Sequence, residues 1–161
     1  MKKVILVLAM AFMAFTANAQ LYVGGGISFN GQKNATVLGI APEVGYNLSD
    51  DMAVGVGVGL AFADGQNAFS IEPYFRYYLV DLGPVRLFCD ANFNFTSATI
   101  NWGGTSTTDT TWGIGVLPGL AVNINDNWSV VSHFARLGYY AEAFDFQLNT
   151  QVVSLGVYYA F

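Results

Sequence analysis

The sequence predicts an all-β fold, an eight-stranded antiparallel up-and-down transmembrane β-barrel that follows a cleaved signal peptide. Large apolar residues alternate with small or polar ones, a secretory leader opens the chain, and the last strand ends on the aromatic residue Phe161. The chain has 53% hydrophobic and only 11% charged residues, against about 25% charged in ordinary globular proteins. That composition, without an apolar run of helix-spanning length, is typical of a membrane barrel.

The first 19 residues have the three parts of a secretory signal peptide. Two lysines follow the initiator methionine, residues 4–15 are uncharged and apolar, and Ala-Asn-Ala at 17–19 is a small-x-small cleavage site. The alternative is a membrane-spanning helix, but the apolar run is too short, because a bilayer requires about 20 residues. We therefore expect residues 1–19 to be the signal peptide and residues 20–161 to be the outer-membrane β-barrel.

Charge and composition exclude several classes of function. Without the leader the chain keeps four basic and eleven acidic residues, a net charge of −7 that offers no basic patch for nucleic acid. Its single cysteine, Cys89, excludes an internal disulfide framework. No residues have metal-ligand spacing, and the glycine-rich stretches at 24–26 and 55–59 do not open a helix as phosphate-binding loops do. We expect no cofactor and no metal.

Turn residues divide the barrel domain into eight predicted strands. Tight turns follow the second, fourth and sixth strands, whereas longer or more polar connections follow the others, the longest being the Thr- and Ser-rich stretch 97–110. Short periplasmic turns and longer outer loops are the rule for bacterial barrels, and an even strand count places both termini in the periplasm. The predicted strands are 21–30, 37–48, 52–62, 69–79, 85–96, 111–124, 128–137 and 146–161.

A proline motif recurs before the three tight turns. It begins at Pro42, Pro73 and Pro118 and ends, in each copy, on an aspartate eight residues later that can bond the amides of the turn. Proline cannot donate a hydrogen bond to a neighbouring strand. We therefore expect a bulge or a local loss of strand pairing at each of these lipid-facing prolines.

Three segments and the terminal strand resemble a known family. Ala41-Pro-Glu-Val-Gly-Tyr-Asn-Leu48, Pro73-Tyr-Phe-Arg-Tyr-Tyr78 and Pro118-Gly, with the aromatic strand that ends the chain, are similar to the small porin-family outer-membrane β-barrel domain. That family is common in Bacteroidetes-type bacteria and is related in architecture to OmpX and the membrane domain of OmpA. The resemblance covers essentially the whole barrel domain. It implies the fold, a bacterial outer-membrane location and recognition of Phe161 by the outer-membrane assembly machinery, but little about mechanism.

Side-chain size indicates which face of each strand meets lipid. In the third strand, Met52, Val54 and Val56 alternate with alanine and glycine. Glycines would not line the apolar cavity of a lipocalin-like barrel, but they leave room in a narrow lumen for long side chains from neighbouring strands. We therefore expect the apolar faces to meet lipid and the polar faces to fill the lumen, because eight strands enclose only enough space for side chains. Such a lumen would have no solute pore.

Five charged residues have inward parity and form the predicted polar network of the lumen. On the lipid face an Arg or Lys near the midplane would cost about 2–4 kcal/mol, whereas inside the barrel opposite charges can pair. The alternative interpretation of this cluster is a proton or ion path. Its members are Glu43, Glu72, Arg76, Arg86 and Asp90.

The predicted pairing of the strands also indicates which residues lie opposite one another in the lumen. A turn near Leu82 would place Arg76 beside Phe88 and Tyr74 beside Asp90, with Arg76 within reach of at least one acid of the network. The same pattern of strands places Glu43 opposite Gly57, where the missing side chain leaves space.

His133 is the only histidine and the one candidate for catalysis. Small outer-membrane barrels include lipid A deacylases with a His-x-Ser pair, but here Ala135 stands where that serine would be. The facing of this strand is unsettled, because Ser132 and Arg136 share parity with the apolar residues around them. A bulge, or an early exit from the membrane, would explain Arg136.

The function predicted from the sequence is therefore that of a non-enzymatic integral outer-membrane protein with a filled lumen. It would serve envelope integrity or surface contact through the outer loops 97–110 and 138–145. The alternatives are a lipid A-modifying hydrolase and a narrow channel. The expected partners are outer-membrane lipid, lipopolysaccharide and the assembly machinery, with a monomer as the expected state.

Overall fold

The computed structural model describes residues 20–32, 35–63, 66–102, 105–140, 143–148 and 154–161, so the predicted leader lies outside the described residues. In these ranges no helix is long and apolar enough to cross a membrane. The regular elements are ten β-segments: β1 Leu21–Gln32, β2 Ala35–Asn47, β3 Met52–Ala63, β4 Gln66–Leu82, β5 Val85–Trp102, β6 Thr105–Asn123, β7 Trp128–His133, β8 Ala135–Tyr140, β9 Ala143–Leu148 and β10 Ser154–Ala160.

The ten segments occupy eight positions around a closed antiparallel barrel. Neighbours in sequence pair from β1 to β6, and β7 and β8 both pair with β6 as the two parts of a seventh strand. β9 pairs with β8 and β10 with β7, so these two segments fill the eighth position. β10 also pairs with β1 and closes the barrel. The predicted fold class is confirmed.

The predicted facing of the strands is also confirmed. On β4, the side chain of Arg76 is 1% exposed, whereas its neighbours Phe75 and Tyr77 are 39% and 45% exposed on the outer surface. Phe88, Asp90 and other inward residues of β5 are buried in the same way. The outer surface is therefore a band of apolar side chains, and the interior holds the charges.

The register between β4 and β5 differs from the prediction by two residues. Arg76 lies opposite Asp90 rather than Phe88, and Tyr74 lies opposite Asn92 rather than Asp90. The chain turns at Gly83-Pro84, later than expected, and Gly83 has the positive φ of 78° that favours glycine. A register shift between Tyr78 and Val80 then realigns the two inward faces. The expected pairing of Glu43 with Gly57 is confirmed.

The three prolines of the repeated motif mark interruptions of strand pairing, as predicted. Pro42 is paired with β1, but the ladder from β2 to β3 omits it. Pro73 is paired with β3, but the ladder from β4 to β5 omits it. Pro118 lies where the register of β6 shifts by one residue between β7 and β8. The missing amide hydrogen of proline explains why each interruption falls on one side of the strand only.

That last interruption is a bulge, which was one of the two explanations left open for Arg136. His133 lies opposite Gly119 and Leu137 lies opposite Val116, so three residues of the seventh strand face two residues of β6. The extra residue reverses the alternation beyond Phe134, which is exposed. Arg136 therefore turns to the lumen side.

Two stretches that were predicted as outer loops are strands instead. The stretch 97–110 contains the end of a β5–β6 ladder of 18 successive residue pairs that begins at Val85 and Val122. The stretch 138–145 contains part of a second ladder, in which β8 and β9 pair from Ala135 and Leu148 to Tyr140 and Ala143. Threonine is β-branched and favours extended backbone, which the loop prediction undervalued. A transmembrane strand needs about 9–11 residues, so the β5–β6 hairpin, with strands of 18 and 19 residues, extends beyond the length that a bilayer would require.

Candidate functional site: the charged layer of the lumen

A buried ion pair lies at the centre of the lumen. Arg76 on β4 and Asp90 on β5 are directly opposite each other, because the shifted register brings both side chains to the inward face. The guanidinium donates from Nε to Oδ1 at 2.7 Å and from Nη2 to Oδ2 at 2.8 Å. Two parallel bonds of this kind fix both the position and the plane of the guanidinium.

Aromatic rings cover the guanidinium of Arg76. Its Cζ lies 4.1 Å from the ring centroid of Phe88, 5.1 Å from that of Tyr74 and 5.7 Å from that of Tyr158. The face of an aromatic ring attracts a cation, and the attraction grows when water is excluded. Arg76 therefore has both in-plane bonds and stacking partners in the layer that it forms with these rings, which we call the Arg76 layer.

Glu43 joins this layer from the opposite wall. Its Oε1 accepts a hydrogen bond from the hydroxyl of Tyr74, and its Oε2 accepts one from the hydroxyl of Tyr158 at 2.6 Å. Arg76 Nη2 lies 3.9 Å from Oε1, and the hydroxyls of Tyr22 and Tyr74 lie 2.6 Å apart. These contacts tie β1, β2, β4 and β10 together across the closure of the barrel.

His133 contacts the same ion pair from β7. Its Nε2 lies 2.8 Å from Asp90 Oδ2, and its ring meets the Phe88 ring edge-on at a centroid distance of 5.3 Å. Ser132, its neighbour, points to the opposite face of the strand, so these two residues do not form a nucleophile and base pair. His133 faces the lumen rather than the lipid.

Glu72 and Arg86 stand apart from Arg76. Glu72 accepts a hydrogen bond from Asn92, which in turn accepts one from Tyr140 at 2.9 Å. Arg86 lies at the rim on the side of the tight turns, where it donates a hydrogen bond to the backbone carbonyl of Asp50. Of the five predicted network residues, the structure thus joins Glu43, Arg76 and Asp90 at the centre and places the other two on either side.

Further ion pairs lie at the two ends of the lumen. Arg86 Nε is 3.4 Å from Asp81 and its Nη2 is 3.7 Å from Asp51, with its guanidinium 3.8 Å from the Tyr78 ring. At the outer end, Arg136 donates to Asp145 at 2.6 Å. Each of these arginines therefore has a carboxylate partner close to the mouth of the barrel.

Two cavities lie on either side of the Arg76 layer. The cavity on the side of the tight turns has a volume of about 560 Å³ and is lined by Arg86, Asp81 and Tyr78, among others. The cavity on the side of the long β5–β6 hairpin, called the outer cavity, has a volume of about 350 Å³ and is lined by Glu72 and Gly57, among others. A Cβ built at Gly57 would meet no atom closer than 3.9 Å, so the missing side chain contributes directly to the outer cavity.

Sequence reasoning missed two tyrosines that complete this layer, namely Tyr158, which donates to Glu43, and Tyr22, which bonds Tyr74. Tyr22 and Tyr158 are near opposite ends of the chain, yet they are neighbours because β1 pairs with β10. Their inward parity was the available signal, since each alternates with lipid-facing residues. The contact between His133 and Asp90 could not be predicted from neighbouring residues, because it joins strands that are far apart in sequence.

The charged side chains at the centre of the lumen are paired with one another or hydrogen-bonded. Among the residues that the structure describes, no three or more His, Cys, Asp or Glu side chains are grouped so that they could hold a metal. Asp90, the carboxylate that contacts His133, is already held by two bonds from Arg76. Chemically, the centre of the lumen is one arginine between two carboxylates, of which Asp90 is bonded to Arg76 and Glu43 to two tyrosine hydroxyls.

Comparisons with known proteins agree with this architecture. The sequence profile of the family described as "Outer membrane protein beta-barrel domain" matches residues 4–161. The fold is similar to Neisserial surface protein A, at 19% identity over 88% of this chain and 96% of that chain, with a TM-score of 0.63. It is also similar to the N-terminal β-barrel domain of Pseudomonas aeruginosa OprF, at 17% identity over 89% and 98%, with a TM-score of 0.65.

A third similar structure is the Yersinia pestis outer membrane protein Ail in a phospholipid bilayer nanodisc. It is 12% identical over 88% of this chain and 99% of that chain, with a TM-score of 0.51. No curated protein matches the sequence. Similarity to solved structures at this level of identity shows the fold alone. The function has to be inferred from the residues of this chain.

Proposed function

The chain belongs to the outer membrane protein beta-barrel domain family, and from that premise we propose that it is a non-enzymatic structural protein with a closed lumen. As an integral barrel of the bacterial outer membrane, it would support envelope integrity and present its outer hairpins for surface contact. The observation that carries the proposal is the Arg76 layer, in which a bidentate ion pair and three aromatic rings lie between the two cavities.

Neutralised charge supports a structural role for the lumen. Removing two ions from water is costly, and the cost is recovered only when the ions pair in good geometry. Arg76 and Asp90 satisfy that condition, and Glu43 receives two tyrosine hydroxyls. A solute path would instead need continuous water along the axis of the barrel.

The other two candidate functions have less support. For a lipid A hydrolase, a catalytic histidine should reach the lipid surface and activate a nucleophile, whereas His133 faces inward onto Asp90. For a narrow channel, the two cavities would have to be joined through the position of Arg76. Neither activity is favoured by a specific contact.

The proposal includes the route of the protein to the membrane. Cleavage after Ala19 would start the mature chain at Gln20, and the assembly machinery would recognise the strand that ends at Phe161. The ring of Phe161 stacks edge-on against Tyr159, which stacks against Trp128, so this end of the barrel is an aromatic surface at the periplasmic interface. We propose a monomer surrounded by lipid and lipopolysaccharide.

Two experiments test this proposal. The refolded barrel in planar bilayers should give no conductance steps, and a deletion strain should become sensitive to detergent. Complementation with the intact gene should restore resistance. Regular conductance steps, or release of fatty acid from lipopolysaccharide, would support the channel or the hydrolase instead.

A further inference from the structure

The projecting part of the β5–β6 hairpin has two chemically different faces. Its ladder runs from Val85 and Val122 to Trp102 and Thr105 without a register shift, so the alternation of the barrel wall continues to the tip. Residues in line with the lipid-facing Phe95 therefore remain on the outward face above the hydrocarbon core of the membrane. On that face lie Ser97, Thr99, Ser106, Thr108 and Thr110.

Contacts support this assignment of the outward hydroxyl face. The hydroxyl oxygens of Thr99 and Thr108, which are cross-strand partners, lie 3.1 Å apart, as two side chains on one face should. Thr108 and Thr110 are exposed. The only charged residue of the projecting hairpin, Asp109, is on the opposite face, beside Ala98.

The outward surface of the hairpin changes from aromatic to hydroxyl side chains between one pair of cross-strand partners and the next. Below this change, Phe95 and Trp112 are cross-strand partners, and Trp112 contacts Tyr139 at a ring-centroid distance of 6.2 Å, which is the aromatic belt expected at the outer interface. Directly above it, Ser97 and Thr110 begin a face with hydroxyl side chains and no charge. The hydroxyl face is therefore continuous with the membrane-facing surface and lies at the level of the lipid headgroups.

We propose that this outward hydroxyl face binds the sugar part of the lipopolysaccharide that surrounds the barrel in the outer leaflet, an inference that rests on the proposed outer-membrane location. Hydroxyl groups both donate and accept hydrogen bonds, so a row of them can match the hydroxyls of a sugar in either sense. The absence of Lys and Arg from the face argues against the lipid phosphates as the recognised group. Placing Asp109 on the other face keeps a negative charge away from those phosphates.

The test compares two matched variants of the same strand. T108V/T110V removes two hydroxyls from the outward face, and T107V/T111V removes two from the opposite face. Valine keeps the β-branch and so preserves strand propensity. Each full-length protein is refolded into phospholipid vesicles containing complete lipopolysaccharide, into vesicles containing a truncated form that keeps only lipid A and the innermost sugars, and into vesicles of phospholipid alone. The thermal unfolding midpoint is recorded in each.

We expect the midpoint of the unsubstituted protein to be higher with complete than with truncated lipopolysaccharide. That difference should be lost in T108V/T110V and kept in T107V/T111V. Each variant is compared with itself in different lipids, so a general loss of stability does not affect the result. If the double variant folds poorly, the single T108V variant removes one hydroxyl of the same face.

Three outcomes would overturn the inference. They are an equal loss in both variants, no loss in either, or equal protection of the barrel in plain phospholipid by soluble oligosaccharide, which would indicate a partner other than the leaflet lipid. All three are distinct from failure of the proposed function, in which the chain would not insert as a heat-modifiable barrel in any vesicle.

Discussion

Arg76 and Asp90 face each other on adjacent strands and are joined by two hydrogen bonds of 2.7 and 2.8 Å inside the barrel. The pair has almost no contact with solvent, since the residues are 1% and 3% exposed. Each therefore depends on the other for compensation of its charge, and four predictions concern this layer and the wall around it.

Removing one member of the pair should destabilise the barrel more than removing both. Arg76→Leu leaves Asp90 buried without its main partner, and we expect a loss of about 3–5 kcal/mol in the free energy of unfolding. R76L/D90L should lose less, because the carboxylate of Asp90 is removed together with the guanidinium that compensates it. Urea unfolding in detergent micelles or vesicles gives both values, and additive losses would contradict the coupling.

Arg86 provides the control for that prediction. Its side chain is 20% exposed, and its carboxylate partners Asp51 and Asp81 are 66% and 63% exposed, so solvent screens these pairs. Arg86→Leu should therefore cost only about 0–1 kcal/mol. A loss as large as that of Arg76→Leu would mean that the rim charges carry the stability instead.

The two faces of β3 should respond oppositely to a new arginine. Val56 faces lipid opposite Val44, so Val56→Arg should block insertion or cost about 2–4 kcal/mol if it lies near the midplane. Gly57→Arg places its charge in the outer cavity near Glu43 and Glu72 and should insert. Folding yields in vesicles, read from heat-modified gel mobility, compare them. The reverse ranking would show that the facing of β3 is wrong.

Two lumen glycines should differ in their tolerance of alanine. A Cβ at Gly55 would collide with the ring of Tyr74, which Tyr22 and Glu43 hold in place, whereas a Cβ at Gly57 meets only ordinary contact. We expect Gly55→Ala to cost about 1–3 kcal/mol through overpacking and Gly57→Ala to be nearly neutral. Equal unfolding midpoints in urea would argue that Tyr74 moves freely.

Opening the Arg76 layer should create conductance. Phe88 is 1% exposed and covers the guanidinium, so Phe88→Ala should join the two cavities and produce small steps in planar bilayers. Phe93 is on the same strand but 43% exposed to lipid, so Phe93→Ala should leave the bilayer silent. If both variants behave alike, the layer does not close the lumen.

Local patterns predicted most of the fold, because each depends on neighbouring residues only. Alternation along a strand decides which side chains share a face, as at Arg76 between Phe75 and Tyr77, and the lack of a proline amide hydrogen predicts an interruption at Pro42, Pro73 and Pro118. The same alternation placed Glu43, Arg76 and Asp90 on the inward face. The strand count followed from the turns, although the strands of the β5–β6 hairpin continue far beyond the predicted ends.

The sequence by itself determined the barrel, the facing of its strands and the burial of its charges, because lipid outside and a narrow lumen inside leave one low-energy arrangement for an alternating strand. Only the tertiary structure decided which charges meet. The pairing of Arg76 with Asp90 depends on a bulge and a turn that shift the register by single residues, and a shift of one residue exchanges all cross-strand partners. The contacts of Tyr22 and Tyr158 with this layer depend on closure of the barrel, which brings the two ends of the chain together.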